Sequence, residues 1–251
     1  MIGRIASTEI RRFLVTPGFW VLTALMQAGL AWLFFVHLDR FMDLQPRLAD
    51  TPGALGVTEM VAAPTLMDAA VLLLLATPLL AMRSLSEERK TRSLVLLQAA
   101  PVSDWQIVIG KFLGLAWMLL IPTAIAVTMT LTLNAGTSLD PGRMATATLG
   151  LVLTVVLVSA AGIWISGTSR HPPVAAGLLY GLFLMLWLAQ STSQPAAEGI
   201  NLVQWLALPT HLEPLMEGHL RAADLLYFAT LTAAFLAMAR ATLGRLRGDG
   251  A

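Results

Sequence analysis

Six stretches of this 251-residue chain are apolar enough, and long enough, to cross a bilayer, and no other feature narrows its folding as far. Hydrocarbon offers a backbone no hydrogen-bond partners, so a crossing segment closes its own bonds as a helix or joins a barrel. A helix needs about 20 residues for a core about 30 Å thick. Residues 19–38, 65–82, 112–133, 144–169, 174–190 and 225–243 meet that need, the last with Arg240 close enough to its end to snorkel. Composition agrees: 57% of residues are apolar and 12% charged. With a mean hydropathy of +0.73, lipid must take up the surface that a core of this size cannot bury. The expected fold is an all-α integral membrane protein of about six transmembrane helices, forming one domain over residues 1–251.

Six crossings put both termini on one side. With the termini in the cytoplasm, twelve Lys and Arg residues lie inside and Arg40, Arg47, Arg143 and Arg221 outside, the asymmetry that orients membrane proteins. Trp20, Trp105 and Trp205 fall near the expected interfaces, where belt tryptophans sit. Sixteen basic against fifteen acidic residues leave no global field for nucleic acid. The absence of cysteine removes disulfides, thiolate metal sites and cysteine nucleophiles.

The ends and loops carry the remaining signals. Ile2, Ile5, Ala6, Ile10, Phe13 and Leu14 share one side of a helical wheel, with Arg4, Ser7, Thr8 and Arg11 opposite, which reads as an N-terminal interfacial helix. Glu9 lies within the apolar arc, where a lone carboxylate is costly, so it is expected to pair with a basic group of another segment. Asp68 follows Thr65 by three and reads as a first-turn carboxylate with a structural role. Gly110/Gly114 and Gly177/Gly181 suit close helix packing, a dimer seam included. Residues 51–64 read as a loop with Gly and Pro. The stretch 191–224, broken by Pro195, Pro209 and Pro214, reads as short re-entrant or interfacial helices at the outer mouth. His211, Glu213, Glu217 and His219 could bind a metal by residue type, but Pro214 and the irregular spacing argue against a formed site, so no metal is expected.

The most informative stretch is 83–111, between the second and third spans. It opens as a charged helical segment, with Ser84 and Glu87 at capping-box spacing and Glu88 four residues before Arg92. A short apolar run follows over 94–100, led by Ser93, stopped by Pro101 and too short to span. Ser103 and Gln106 form a second capping box opening the third span. A mere connection between two helices takes about 2 to 8 residues, so this segment reads as a docking surface on the cytoplasmic side. Gly110-Lys111 lacks the earlier glycine of a phosphate loop and follows no strand, so no nucleotide site is expected in the chain. Paired acid and base groups are too scarce within the spans to favour an intramembrane enzyme.

The run SEERKTRSLVLLQAAPVSDWQIVIGKFLG, with Glu87, Glu88, Arg89, Pro101, Val102, Ser103, Gly110 and Lys111 at matching positions, resembles the segment after the second span of ABC-2 type permeases. The likeness is to their gliding-motility and nitrous-oxide-reductase-maturation types. Glu9-Ile10-Arg11-Arg12 near the N-terminus and HLEPLMEGHLRAADLLYF over 211–228 agree with it. Arg92 stands where such permeases have Gly, and Val95 where they carry an acidic residue. The resemblance implies a permease subunit in a bacterial cytoplasmic (inner) membrane, with both termini in the cytoplasm. It further implies a second copy of itself or a related permease, and a separate cytoplasmic ABC ATPase that holds ATP and Mg. No cofactor is then expected in this chain. The segment after span two becomes a coupling helix, with Glu87, Glu88, Arg89, Leu94, Leu96, Leu97 and Pro101 facing the ATPase. The function implied is export or translocation driven by that ATPase. The alternative is transmission of ATP-driven motion to an extracytoplasmic partner protein.

Overall fold

A computed structural model of the chain describes residues 1–48, 56–90, 102–192 and 205–248. The described residues fold into α1 (Ile2–Val15), α2 (Pro17–Leu48), a π turn (Thr58–Ala62) running into α3 (Ala63–Ala81), α4 (Ser86–Lys90) and α5 (Asp104–Leu131). There follow α6 (Pro141–Thr168), α7 (Pro172–Leu188), α8 (Leu208–Met216) and α9 (Ala222–Gly248). No strand occurs among the described residues.

Among the described residues, five helices are long and apolar enough to cross a membrane: α2, the π turn with α3, α5, α6 and α9. The sixth, α7, has 17 residues, but the 3₁₀ turn Ala189–Thr192 continues it. At about 1.5 and 2.0 Å per residue the two together reach about 32 Å, a bilayer core. The most buried span is α6, with 67% of its most apolar window inside the bundle, and it packs against α3, α5, α7, α8 and α9. Trp164 of α6 stacks on Phe235 of α9 with ring centroids 5.5 Å apart.

Local chemistry explains several boundaries. Pro17 disfavours a helical Thr16, whose backbone is extended, so α1 stops and α2 starts in a new direction. Trp20 Nε1 donates to the Leu14 carbonyl at 2.8 Å, satisfying an acceptor that the end of α1 leaves open. Helix α5 begins with the expected capping box, Ser103 Oγ accepting from the Gln106 amide at 3.4 Å and Gln106 Oε1 from the Ser103 amide at 3.3 Å. Helix α6 begins at Asp140, whose carboxylate accepts from the Gly142 and Arg143 amides at 2.9 and 3.3 Å.

Three boundaries correct the expectation. Residues 58–64, expected as loop, are helical, because a π turn precedes Pro64 and absorbs the donor that proline lacks. Asp68 is therefore not in a first turn but well inside the helix, and its carboxylate meets His37 Nε2 of α2 at 2.8 Å. The third span, bounded at 112 from its apolar length, is one helix from Asp104 behind the expected capping box, which puts Lys111 in its second turn.

Helices α1 and α4, the start of α5 and the end of α9 gather at one end of the bundle. Arg247 of α9 reaches Asp104 at 2.8 Å and the Val102 carbonyl at 3.1 Å there. We call this the termini end. At the opposite end Arg143 joins Glu59 at 2.5 Å and the Met216 carbonyl at 3.2 Å, tying the π turn, α6 and α8 together.

Candidate functional site: a buried charge node at the termini end

Helix α1 lies across α5. The amphipathic arc read from the sequence turns onto protein: Ile5 sits over Gly110 and Glu9 over Gly114. A Cβ on either glycine would come within 2.7 Å of the facing Cβ, so hydrogen is the only side chain this crossing admits. This pair serves a contact within the chain, not the dimer seam. Around Gly177 and Gly181 on α7 there is nothing within 4 Å, which leaves that face open.

The crossing brings three charges together. Lys111 is 1% exposed, and its ammonium reaches Glu9 of α1, Glu88 Oε1 of α4 at 2.7 Å and the Ser84 carbonyl at 3.1 Å. Arg12 approaches the same Glu88 oxygen at 3.8 Å. Taking a lone ammonium into such a site costs several kcal/mol. Two carboxylates and a carbonyl make the burial tolerable by filling all three ammonium donors. The expectation for Glu9 thus finds its partner in Lys111. Glu88 meets Lys111 and Arg12, while Arg92, its expected partner along the helix, lies outside the described residues.

The other face of α4 fastens to α6. Ser166 Oγ accepts from the Leu85 and Ser86 amides at 2.9 and 3.1 Å, and Ser86 Oγ donates to the Ser166 carbonyl at 2.7 Å. Arg89 donates to the Gly167 carbonyl at 2.5 Å. Burial first, and the neighbouring charge of Arg170 second, hold the Arg89 guanidinium below the ordinary arginine pKa. The capping box expected at Ser84 and Glu87 is absent: the helix starts two residues later, at Ser86, because Ser166 offers the first amides a better acceptor. Segment 83–90 is thus bound to α1, α5 and α6 at once.

Of the coupling residues named from the sequence, Leu94, Leu96, Leu97 and Pro101 lie outside the described residues, as does Arg92, and Glu87 is described in its backbone alone. Glu88 is brought to the node and Arg89 to the end of α6. The sequence reading missed Ser166, which looks like any small residue of a span. It placed Lys111 in a motif without giving it a partner; the available signal was a lysine facing the same way as two helix-packing glycines. At the far end the metal candidates separate. His211 pairs with Asp224 at 2.8 Å and with the Trp205 carbonyl at 3.0 Å, Glu213 takes the Gln190 amide at 3.2 Å, and His219 and Glu217 are exposed. Among the described residues no three His, Asp or Glu side chains gather as a metal site.

Long apolar helices with a charged, buried anchor at one end define a multi-pass membrane protein built to hold a surface segment rigidly against its spans. The family model for ABC-2 family transporter proteins matches residues 4–241, and the chain belongs to that family. It is accordingly a membrane permease subunit of an ABC transporter. No curated protein sequence matches it.

Proposed function

We propose that a separate cytoplasmic ABC ATPase docks on segment 91–101 of this permease and drives export or translocation through it, ATP and Mg being held on the ATPase. The observation that carries this reading is the triple attachment of segment 83–90. The docking segment follows it directly in the chain, and a displacement there passes to α1 through Glu9, to α5 through Lys111 and to α6 through Ser166. ATP binding and hydrolysis on the partner would then shift the population of inward and outward states through one mechanical contact. The termini end is the cytoplasmic end in this reading, the membrane is the bacterial inner membrane, and a second copy or a related permease completes the pathway. Kinship with the gliding-motility and maturation types rests on the 87–111 motif.

Apolar anchors carry most of an interface's energy. Leu96→Asp is expected to strip the ATPase from the purified complex, a loss of about 2 kcal/mol or more, while membrane insertion is unchanged. Full retention of the ATPase with unchanged coupled hydrolysis refutes the docking assignment. Because the chain has no cysteine, single cysteines report sidedness on a clean background. A cysteine at His171 is expected to label only from the cytoplasm and one at Thr137 only from outside.

Force transmission to an extracytoplasmic protein is a second reading. It is favoured by the close packing of α2, α3 and α5, which leaves only about 10 Å³ between Met26, Leu30, Leu73 and Pro122. Capture of such a protein by a complex that hydrolyses ATP but moves no solute would select it.

A further inference from the structure

The charge node leaves one feature unused: a cleft of about 390 Å³ at the termini end between α1, α2 and α3. Its walls are Phe19, Leu22, Leu25 and Leu79, and its polar edge is Glu9, Arg12, Arg83 and Ser84. Leu25 is 66% exposed and Leu79 41%, so the apolar part opens sideways from the spans toward hydrocarbon. Arg83 is exposed and has no partner among the described residues. Ser84 is 1% exposed, yet its hydroxyl has no hydrogen-bond partner there, and neither has Glu9 Oε2. Buried polar atoms left in this way forfeit their hydration without compensation, and native structures normally satisfy them. Among the described residues nothing completes this edge.

The chemistry of an occupant follows from the lining. Arg12 and Arg83 against Glu9 leave one positive charge in excess, which selects an anion. Two guanidinium groups suit a phosphodiester, which they bind with charge-assisted hydrogen bonds. Glu9 Oε2 accepts only, so the headgroup must also bring donors, and hydroxyls do so without adding a cation beside Lys111. A soluble phosphate would leave the apolar walls uncovered. We propose that the cleft binds an anionic phospholipid with a hydroxyl-bearing headgroup of the phosphatidylglycerol kind. Its phosphodiester lies at Arg12 and Arg83, its hydroxyls at Ser84 and Glu9, and one acyl chain runs along α2 and α3. This site does not depend on the ATPase reading, and it gives α1 a second fastening, to the bilayer itself.

The test is native mass spectrometry of the delipidated full-length chain in detergent, titrated with phosphatidylglycerol, phosphatidylethanolamine and phosphatidylcholine of identical acyl chains. Phosphatidylglycerol is expected to bind at least about tenfold more tightly than phosphatidylcholine, the effect of one charge-assisted contact. Arg83→Gln is expected to remove about tenfold of that affinity, whereas Arg245→Gln, an exposed arginine elsewhere, leaves it unchanged. Equal binding of phosphatidylglycerol and phosphatidylcholine, or an unaffected Arg83→Gln, overturns the site. Equal binding of phosphatidylethanolamine overturns the headgroup assignment. Displacement of the lipid by glycerol phosphate at matched concentration assigns the site to a soluble phosphate and overturns the lipid. Should Arg83→Gln not fold, the ratio of lipid affinities on the unaltered chain decides alone.

Discussion

The two ends of this bundle solve one problem with different balances of distant and local contacts. Each must fix a short surface helix to the spans with polar groups that are largely out of water. At the termini end the groups come from far apart in sequence: Lys111 and Glu9 are 102 residues apart, and Ser86 and Ser166 are 80 apart. At the far end a local anchor stands beside the long-range one that Arg143 makes to Glu59 and the Met216 carbonyl. His211 bonds Asp224 thirteen residues on, stacks on Tyr227 at 4.1 Å, and Tyr227 donates to the Leu206 carbonyl at 2.9 Å. A local anchor braces one hairpin and can be disturbed without loosening the rest. A long-range anchor makes distant helices move together, which is what the proposed docking of an ATPase at the termini end requires.

The largest expected effect is at Lys111. Lys111→Met leaves the buried Glu9 facing Glu88 without its ammonium, with Arg12 still 3.8 Å from Glu88, and breaking a buried pair in this way costs about 3–5 kcal/mol. Unfolding in mixed detergent micelles measures it. The triple variant Glu9→Gln, Glu88→Gln, Lys111→Met is expected to recover most of that stability, since the charges go together. It is expected not to recover coupled ATP hydrolysis in the assembled complex, because α1 and α4 are no longer tied. Recovery of both makes the node a packing device and erases the contrast between the ends.

At the far end a smaller loss is expected. Asp224→Asn keeps the shape but exchanges a charge-assisted bond to His211 for a neutral one, a cost of about 1–2 kcal/mol. Coupled hydrolysis by the assembled complex should stay at the level of the unaltered chain. A coupling defect as large as that of the triple variant would show that the local anchor also transmits.

The sequence displayed some of this and concealed the rest for physical reasons. The five long spans and the shorter apolar helix α7 follow from apolar length alone, and the capping box at Ser103 and Gln106 is written in residues three apart. Glu9 was legible because its cost in an apolar arc demands a partner, but the partner, 102 residues away, depends on how α1 crosses α5. His37 and Asp68 escaped for the same reason: each lies within a long helix, and only the packing of α2 on α3 joins them. Pro64 misled because a proline marks a boundary far more often than it follows a π turn. Ser166 has no sequence signature, since its task is to accept two amides from another helix.

The smallest effects separate the two glycine pairs, which look alike in sequence. Alanine favours a helix interior over glycine by about 1 kcal/mol, so the sign of the change depends on the space beyond the Cβ. At Gly114 that space is taken: the new methyl would lie 2.7 Å from the Glu9 Cβ, and relieving it pushes Glu9 away from Lys111. Overpacking costs about 1–3 kcal/mol, which outweighs the gain in propensity, so Gly114→Ala is expected to destabilise by about 1 kcal/mol net and to weaken coupling. At Gly177 nothing lies within 4 Å. Gly177→Ala is expected to stabilise the monomer by up to about 1 kcal/mol. Its effect on association then reads out the open face of α7. If a second copy packs there, a methyl at Gly177 obstructs it and shifts the monomer–dimer equilibrium toward monomer, as measured by single-molecule photobleaching in bilayers. If lipid alone covers the face, the equilibrium stays where it was and the seam lies elsewhere. The pair of variants therefore distinguishes glycines that fold the chain from glycines that join two chains.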